Sequence, residues 1–130
     1  MQEKIKVAVD AMGGDNAPVE PIKAAVEAVN ENPDIKVVLV GKEDVIQNEL
    51  KKYTYDPQNI EIAHASEVIE TGEPPVNAIR RKKDSSIVVG MNMVKHGEAD
   101  AIISSGSTGA VLVGGQLIVG RIRGIERPPL

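Results

Sequence analysis

The stretch ADAIISSGSTGAVLVGG, residues 99–115, joins two apolar segments through a short loop of glycine and hydroxyl residues. The first segment, residues 100–104, is short and apolar, which is typical of a buried β-strand. The second segment continues to residue 121, and Ser107 or Thr108 is a suitable N-cap for a helix there. The stretch therefore predicts a strand, a loop and a helix in succession.

The same alternation of strand and helix patterns runs along the rest of the chain. Short β-branched runs predict further strands at residues 4–10, 35–41 and 60–64. Apolar residues at three- and four-residue spacing predict helices at residues 19–32 and 42–53, and two more follow at 74–83 and 85–97. This order favours a doubly wound α/β fold, with a mainly parallel sheet and helices on both faces.

Composition excludes several classes of function. The 130-residue chain has a net charge of −4, and its only aromatic residues are Tyr53 and Tyr55, so we expect no nucleic-acid binding. It contains no cysteine, which fits a reducing cytoplasm. We recognise no secretory signal and no apolar run of the roughly 20 residues that a membrane span needs.

The loop at residues 105–109, the hydroxyl loop, is the first candidate site. Parallel α/β sheets bind ligands beyond the carboxyl ends of their strands, and this loop leads into a helix with unpaired N–H groups. Glycine and hydroxyl residues there are compatible with phosphate or a carboxylate. The alternative is that Ser107 or Thr108 only caps the helix, because the loop matches neither the Walker A nor the GxGxxG pattern.

A second loop, DAMGGDNAP at residues 10–18, follows the first strand and is called the glycine loop. Gly13 and Gly14 permit backbone conformations closed to other residues, and Asp10 and Asp15 lie on either side of them. Two carboxylates would repel phosphate, so we expect this loop to orient donors, cap the next helix, hold a cation or form a purely structural turn.

Charged and imidazole side chains offer weaker candidates. The basic run at residues 80–83 is either a solvated helix end or a contact for an anion or an acidic partner. His64 is expected to have a structural role and His96 to lie on the surface. No catalytic triad and no metal-ligand spacing is apparent.

The helix at residues 108–121 is apolar nearly all round. Such a helix must be buried, so we expect it to pack on the sheet and on a second partner, either a further domain or another subunit. The chain shows no internal domain boundary.

Several motifs in order resemble the bacterial phosphate acyltransferase (PlsX) family of fatty acid and phospholipid synthesis. They are VAVDAMGGDNAP, VLVG, HASEVIETGEPPVNAIRRKKDSSI, ADAIISSGSTGA and IVGRIRGIERPPL. The resemblance begins at Ile5 and covers nearly the whole chain, although Ser107 stands where the family often has Asn. Because family members are longer, it implies that residues 1–130 are the N-terminal α/β portion of a longer acyltransferase.

The resemblance implies a homodimer with an α/β/α fold similar to isocitrate and isopropylmalate dehydrogenases and to phosphotransacetylases. We expect no cofactor and no metal. It implies a cytoplasmic enzyme that converts acyl-[acyl carrier protein] and inorganic phosphate into acyl phosphate, and it leaves open a peripheral association with the membrane. The phosphate contacts would be Ser105, Gly106, Ser107, Thr108, Gly109 and Arg80, with Ser107 and Thr108 as catalytic candidates. The cleft wall would be Asp10, Gly13, Gly14 and Asp15. The carrier contacts would be Arg81, Lys82, Lys83, Arg121 and Arg123.

Two alternatives stay open from the sequence. The acyl donor of the reaction is either the carrier protein or coenzyme A. The 130 residues by themselves are either part of an active enzyme or a non-catalytic fragment that binds anions or self-associates.

Overall fold

A four-stranded sheet forms the centre of the computed structural model, which describes residues 4–124. The strands are β1 (Ile5–Asp10), β2 (Ile35–Gly41), β3 (Ile60–His64) and β4 (Ala101–Ile103). Their order is β3-β2-β1-β4, and every pairing is parallel. The parallel sheet expected from the sequence is confirmed, although β4 is two residues shorter than predicted.

Five α-helices connect or follow these strands. They are α1 (Val19–Glu31), α2 (Glu43–Leu50), α3 (Pro75–Arg81), α4 (Ser86–Lys95) and α5 (Thr108–Gly114). A 3₁₀ turn at Pro57–Asn59 precedes β3, and a π-helical segment at Gly115–Val119 continues α5. All five helices lie where the sequence predicts them. Helices α1 to α4 begin or end up to three residues inside their predicted bounds, and α5 ends seven residues before its predicted end.

Alternating residues of the central strands send their side chains to opposite faces of the sheet. Val37 and Leu39 pack with α1 and α2 on one face. Val38 and Val40 belong to a second cluster that packs against Val89 of α4 on the other face. Helices therefore cover both faces, as expected from apolar runs in which consecutive residues are all buried.

The prediction for residues 108–121 is wrong in two respects. The α-helix ends at Gly114, and the backbone continues as a π-helical segment. In addition, α5 and this segment lie mainly against α3 and α4, outside the layer in which α4 covers the sheet. Leu117 is 57% and Val119 41% exposed within residues 4–124, and the second partner expected to cover this segment stays a prediction.

Within residues 4–124, no helix has the length and apolar character that crossing a bilayer requires.

Candidate functional site

The glycine loop and the hydroxyl loop meet at the carboxyl ends of β1 and β4. The register pairs Val9 with Ile103, so the next residues, Asp10 and Ser104, leave the sheet side by side. The Ser104 hydroxyl lies 2.8 Å from Asp10 Oδ2 and can donate to it. The residue directly before the hydroxyl loop is thus hydrogen-bonded through its side chain to the first residue of the glycine loop.

Asp10 is only 3% exposed, and both of its carboxylate oxygens have donors. Oδ1 accepts the Met12 backbone N–H at 3.0 Å, and Oδ2 faces the Ser104 hydroxyl. A buried carboxylate requires such partners to offset its desolvation. Asp10 therefore accepts from its own loop and from the residue before the hydroxyl loop, and the choice among the roles expected for the glycine loop stays a prediction.

Gly13 and Gly14 permit the close contact between the loops. A Cβ at Gly13 would lie 2.7 Å from Asp10 Oδ2 and 3.1 Å from the Gly106 carbonyl oxygen. Gly14 has φ +92°, and a Cβ there would lie 3.0 Å from that of Ser105. Side chains at these positions would separate the loops, so the permissive backbone is explained by loop packing.

The hydroxyl residues at the start of α5 have different environments. Ser107 is buried, and its Oγ accepts the Ala110 N–H at 3.3 Å, which confirms the capping interpretation for this residue. Ser105 and Thr108 are exposed. The first helical N–H groups, at Thr108 and Gly109, have no partner within the helix. The loop therefore combines two exposed hydroxyls with two backbone donors at one end of the sheet.

Helix α3 forms a further wall of this region. A Cβ at Gly109 would lie 2.6 Å from Pro75 Cγ, at the first turn of α3. The absence of a side chain at Gly109 thus allows α3 to approach the hydroxyl loop. Arg80 is exposed in the last turn of α3, five residues from Pro75 and about 7.5 Å along the helix axis. Its contact with phosphate stays a prediction.

The rest of the basic run is divided between exposed and internally bonded side chains. Arg81 and Lys83 are exposed. Lys82 Nζ lies 2.7 Å from Glu73 Oε2 and donates to the Val68 carbonyl at 2.7 Å. The hydrogen bond from Lys82 lowers the pKa of Glu73, and the Glu70 backbone N–H lowers it further. Lys82 therefore has a structural role, whatever it contributes to carrier binding.

Arg121 and Arg123, the other residues assigned to the carrier, are exposed and follow the π-helical segment. They lie close in sequence to the exposed apolar residues Leu117 and Ile122. The part of the chain between residues 117 and 123 thus presents both apolar and basic groups. Carrier contact here stays a prediction.

His64 and its neighbours form a separate group at the end of β3. His64 Nδ1 accepts the Glu43 N–H at 3.1 Å, at the first residue of α2, so the expected structural role is confirmed. Nearby, hydrogen bonds from the Ser66 hydroxyl and then the Ser66 N–H hold the pKa of Asp84 below its usual range. His96 is exposed at the end of α4, as expected.

A cleft of about 550 Å³ opens beside the two loops. Its floor includes Val7 and Val9 of β1 and Ile103 of β4, and Ala24 of α1 forms part of one side. Asp10, Gly13, Gly14 and Asp15, the four residues assigned to a cleft wall, are among the residues that line it. The cleft is apolar along the strands and polar where it reaches the loops.

Ser104 is the site residue that the sequence prediction missed. The sequence pattern places it at the end of a strand, whereas β4 stops at Ile103 and Ser104 turns toward Asp10. The signal was present, because Asp10 and Ser104 are polar residues at the carboxyl ends of two strands that the sequence predicts. Using it required the β1–β4 pairing, which the sequence pattern does not specify.

A family model described as "Fatty acid synthesis protein" matches residues 5–130. The chain belongs to this family. The match includes both loops and the α3 segment that contacts them. The structure therefore describes the part of a family member in which the glycine loop and the hydroxyl loop are packed together.

Curated relatives carry the name phosphate acyltransferase. The protein of Alkaliphilus oremlandii is 54% identical over 126 residues, which are 97% of this chain and 37% of the relative. That of Clostridium tetani is 52% identical over 126 residues, 97% of this chain and 38% of the relative. The chain thus spans less than two fifths of the length of these relatives.

Two solved structures share the fold. A phosphotransacetylase from Streptococcus pyogenes has a TM-score of 0.67 at 18% identity, over 98% of this chain and 41% of that one. The EutD phosphotransacetylase from Staphylococcus aureus has a TM-score of 0.62 at 20% identity, over 95% and 40%. At this level of identity, the likeness concerns the fold.

Proposed function

We propose that this chain is the N-terminal, phosphate-binding part of an acyl-[acyl carrier protein]:phosphate acyltransferase that makes acyl phosphate for phospholipid synthesis. The family assignment and the name shared by the relatives support the reaction class. The observation that carries the phosphate assignment is the hydroxyl loop. It is held against the glycine loop and leaves Ser105, Thr108 and two helical N–H groups available.

The hydroxyl loop suits a tetrahedral anion for two physical reasons. Helix N-termini carry a partial positive charge, and their N–H groups form strong hydrogen bonds to anionic oxygens. Ser107 satisfies the Ala110 N–H, which leaves the Thr108 and Gly109 N–H groups for a ligand. Thr108 adds a hydroxyl donor to its own backbone N–H, so it is the residue we assign most directly to phosphate.

The proposed reaction is a direct acyl transfer. A phosphate oxygen attacks the thioester carbonyl carbon, a carbon–oxygen bond forms and the carbon–sulfur bond breaks. The carrier leaves as a thiolate that takes up a proton. Donors fixed at the phosphate orient the nucleophile, which is a large source of rate enhancement when two reactants must meet. No covalent enzyme intermediate is required.

The finer parts of the proposal concern partners and assembly. The exposed residues of the basic run, Arg80, Arg81 and Lys83, are proposed to attract an acidic carrier by charge, and Arg121 and Arg123 are proposed to assist. The complete protein is proposed to be a cytoplasmic homodimer, able to associate with a membrane surface. We assign it a fold similar to isocitrate and isopropylmalate dehydrogenases, with the active site between two domains.

A fusion enzyme provides the test. Residues 1–130 replace the matching segment of the Alkaliphilus oremlandii relative, and release of free carrier thiol is followed with acyl carrier substrate and increasing phosphate. We expect saturable thiol release that requires phosphate, together with acyl phosphate that hydroxylamine traps. Absence of phosphate-dependent thiol release, in a fusion that folds as the parent enzyme does, contradicts the proposal.

Two comparisons address the alternatives. Acyl-coenzyme A in place of the acyl carrier substrate should give much slower turnover, and equal or faster turnover would favour the coenzyme A-dependent alternative. The isolated chain should bind phosphate without turnover, which separates a non-catalytic fragment from an enzyme. Turnover by the isolated chain at the rate of the fusion would place every essential group within these residues.

A further inference from the structure

The hydrogen bond between Ser104 and Asp10 is the part of this region that the proposed function does not use. It links residues 94 positions apart and joins Asp10 of the glycine loop to the residue directly before the hydroxyl loop. Ser104 is half-buried, and Asp10 is almost completely buried. Both line the cleft, but the burial of Asp10 makes it a poor main contact for a ligand in solvent.

The Ser104 hydroxyl also touches the backbone of the hydroxyl loop. Its Oγ lies 3.1 Å from the Gly106 carbonyl oxygen and 3.4 Å from the Gly106 nitrogen. A hydroxyl has one proton, and an ionised carboxylate is the stronger acceptor, so the shorter contact to Asp10 takes that proton. The lone pairs of Ser104 then accept the Gly106 N–H. One side chain thus connects the Asp10 carboxylate to the backbone at Gly106.

The surroundings restrict this connection to one geometry. Asp10 is fixed on its other side by the Met12 N–H. Gly13 packs so closely on Asp10 and on the Gly106 carbonyl that a Cβ would not fit. Movement of Gly106 away from this position therefore breaks its hydrogen bond to the Ser104 hydroxyl, which Asp10 holds in place.

We propose that Ser104 and Asp10 form a latch that positions the hydroxyl loop for phosphate. The proposal rests on the proposed function, since it concerns the same loop. Both are positioning residues: Asp10 holds Ser104, Ser104 holds Gly106, and Gly106 sets where Thr108 and Gly109 present their N–H groups. Loss of the latch should weaken phosphate binding while leaving the acyl donor unaffected.

The test compares Ser104→Ala and Ser104→Thr in the fusion enzyme. Removing the hydroxyl should raise the KM for phosphate about tenfold, the scale expected for losing one hydrogen bond to a charged group. The KM for the acyl carrier substrate and the kcat at saturating phosphate should stay within about twofold, the usual context-dependent scatter of a neutral substitution. Ser104→Thr retains the hydroxyl and should restore the phosphate KM.

A matched control removes a similar hydrogen bond elsewhere. Ser66 donates to Asp84 Oδ2 at 2.5 Å, outside the two loops. Ser66→Ala should leave the phosphate KM unchanged. If Ser104→Ala lowers kcat or the melting temperature without raising the phosphate KM, the residue is merely structural and the latch is refuted.

A Thr108→Ala variant separates failure of the latch from failure of the proposed function. If Thr108→Ala raises the phosphate KM and Ser104→Ala does not, the loop binds phosphate without a latch. If neither variant changes it, the hydroxyl loop is not the phosphate site, and the latch is overturned with the proposed site.

Discussion

Hydroxyl residues that the sequence pattern does not distinguish have different roles in the fold. Ser104 contacts Asp10, Ser107 caps α5, and Ser105 and Thr108 are exposed. The sequence predicted either a cap or an anion site, because a helix N-terminus favours both. The sequence pattern does not specify which hydroxyl makes which contact, because the contact of Ser104 with Asp10 depends on the pairing of β4 with β1.

Thr108 provides a residue-scale prediction about phosphate. Thr108→Ala in the fusion enzyme should raise the phosphate KM about tenfold, because it removes one hydroxyl donor to an anion. Thr108→Ser keeps that donor and should have a phosphate KM near the original. The measurement is the initial rate of thiol release against phosphate concentration at saturating acyl carrier substrate. A phosphate KM that is the same for all three proteins would contradict the role of the hydroxyl.

Gly109 provides a prediction about stability. Gly109→Ala should lower the free energy of unfolding by about 1–3 kcal/mol, the usual cost of overpacking, because the new Cβ meets Pro75 Cγ at 2.6 Å. Combining it with Pro75→Ala should recover part of the loss. Gly115→Ala is the control, since no atom lies within 4 Å of a Cβ there. Denaturant unfolding measures the three variants against the original chain, and equal losses for Gly109→Ala and Gly115→Ala would show that the Pro75 contact is unimportant.

At the scale of elements, the sequence predicted the strands and helices well. Runs such as IKVVLVG are β-branched and buried on both faces, so burial and local preference favour the same structure. The glycine pair at positions 114–115 lies where α5 changes to a π-helical segment, and an apolar pattern does not reveal such a change. The sequence pattern likewise did not predict that β1 pairs with β4, because the two strands are 94 residues apart in sequence.

The ion pairs between the strands give a prediction about pH. Lys36 lies 2.5 Å and Lys6 3.8 Å from Glu61, and the hydrogen bond from Lys36 is the largest cause that lowers the pKa of Glu61. Since the folded-state pKa is depressed, this contribution to stability is present above about pH 4.5, the ordinary value of the group. It is lost as the pH falls through the lower folded-state value.

The corresponding variant is Glu61→Gln. Its free energy of unfolding should fall less steeply than that of the original chain between neutral and acidic pH, because it has no carboxylate to protonate at this position. The side chain of Glu61 is half exposed, so the difference should be small and should shrink in high salt. Parallel pH profiles for the two proteins would contradict the prediction.

At the scale of the whole molecule, apolar surface remains exposed where the sequence predicted burial. Ile5 and Ile103 are each 58% exposed, and Leu117 lies on the outer layer. The rule that apolar segments are buried was applied to 130 residues, whereas the relatives are more than twice as long. Residue patterns identify apolar surface that is expected to be buried, but they do not identify the group that buries it.

The central claim is that the hydroxyl loop binds phosphate, and a titration of the isolated chain with inorganic phosphate tests it most directly. Backbone amide NMR shifts should move saturably at Thr108 and Gly109, with smaller changes at Gly106 and Gly14 of the adjoining loop. Potassium chloride at matched ionic strength should not reproduce them. Shifts centred on the basic run at residues 80–83, or no saturable shift at the hydroxyl loop, would contradict the account.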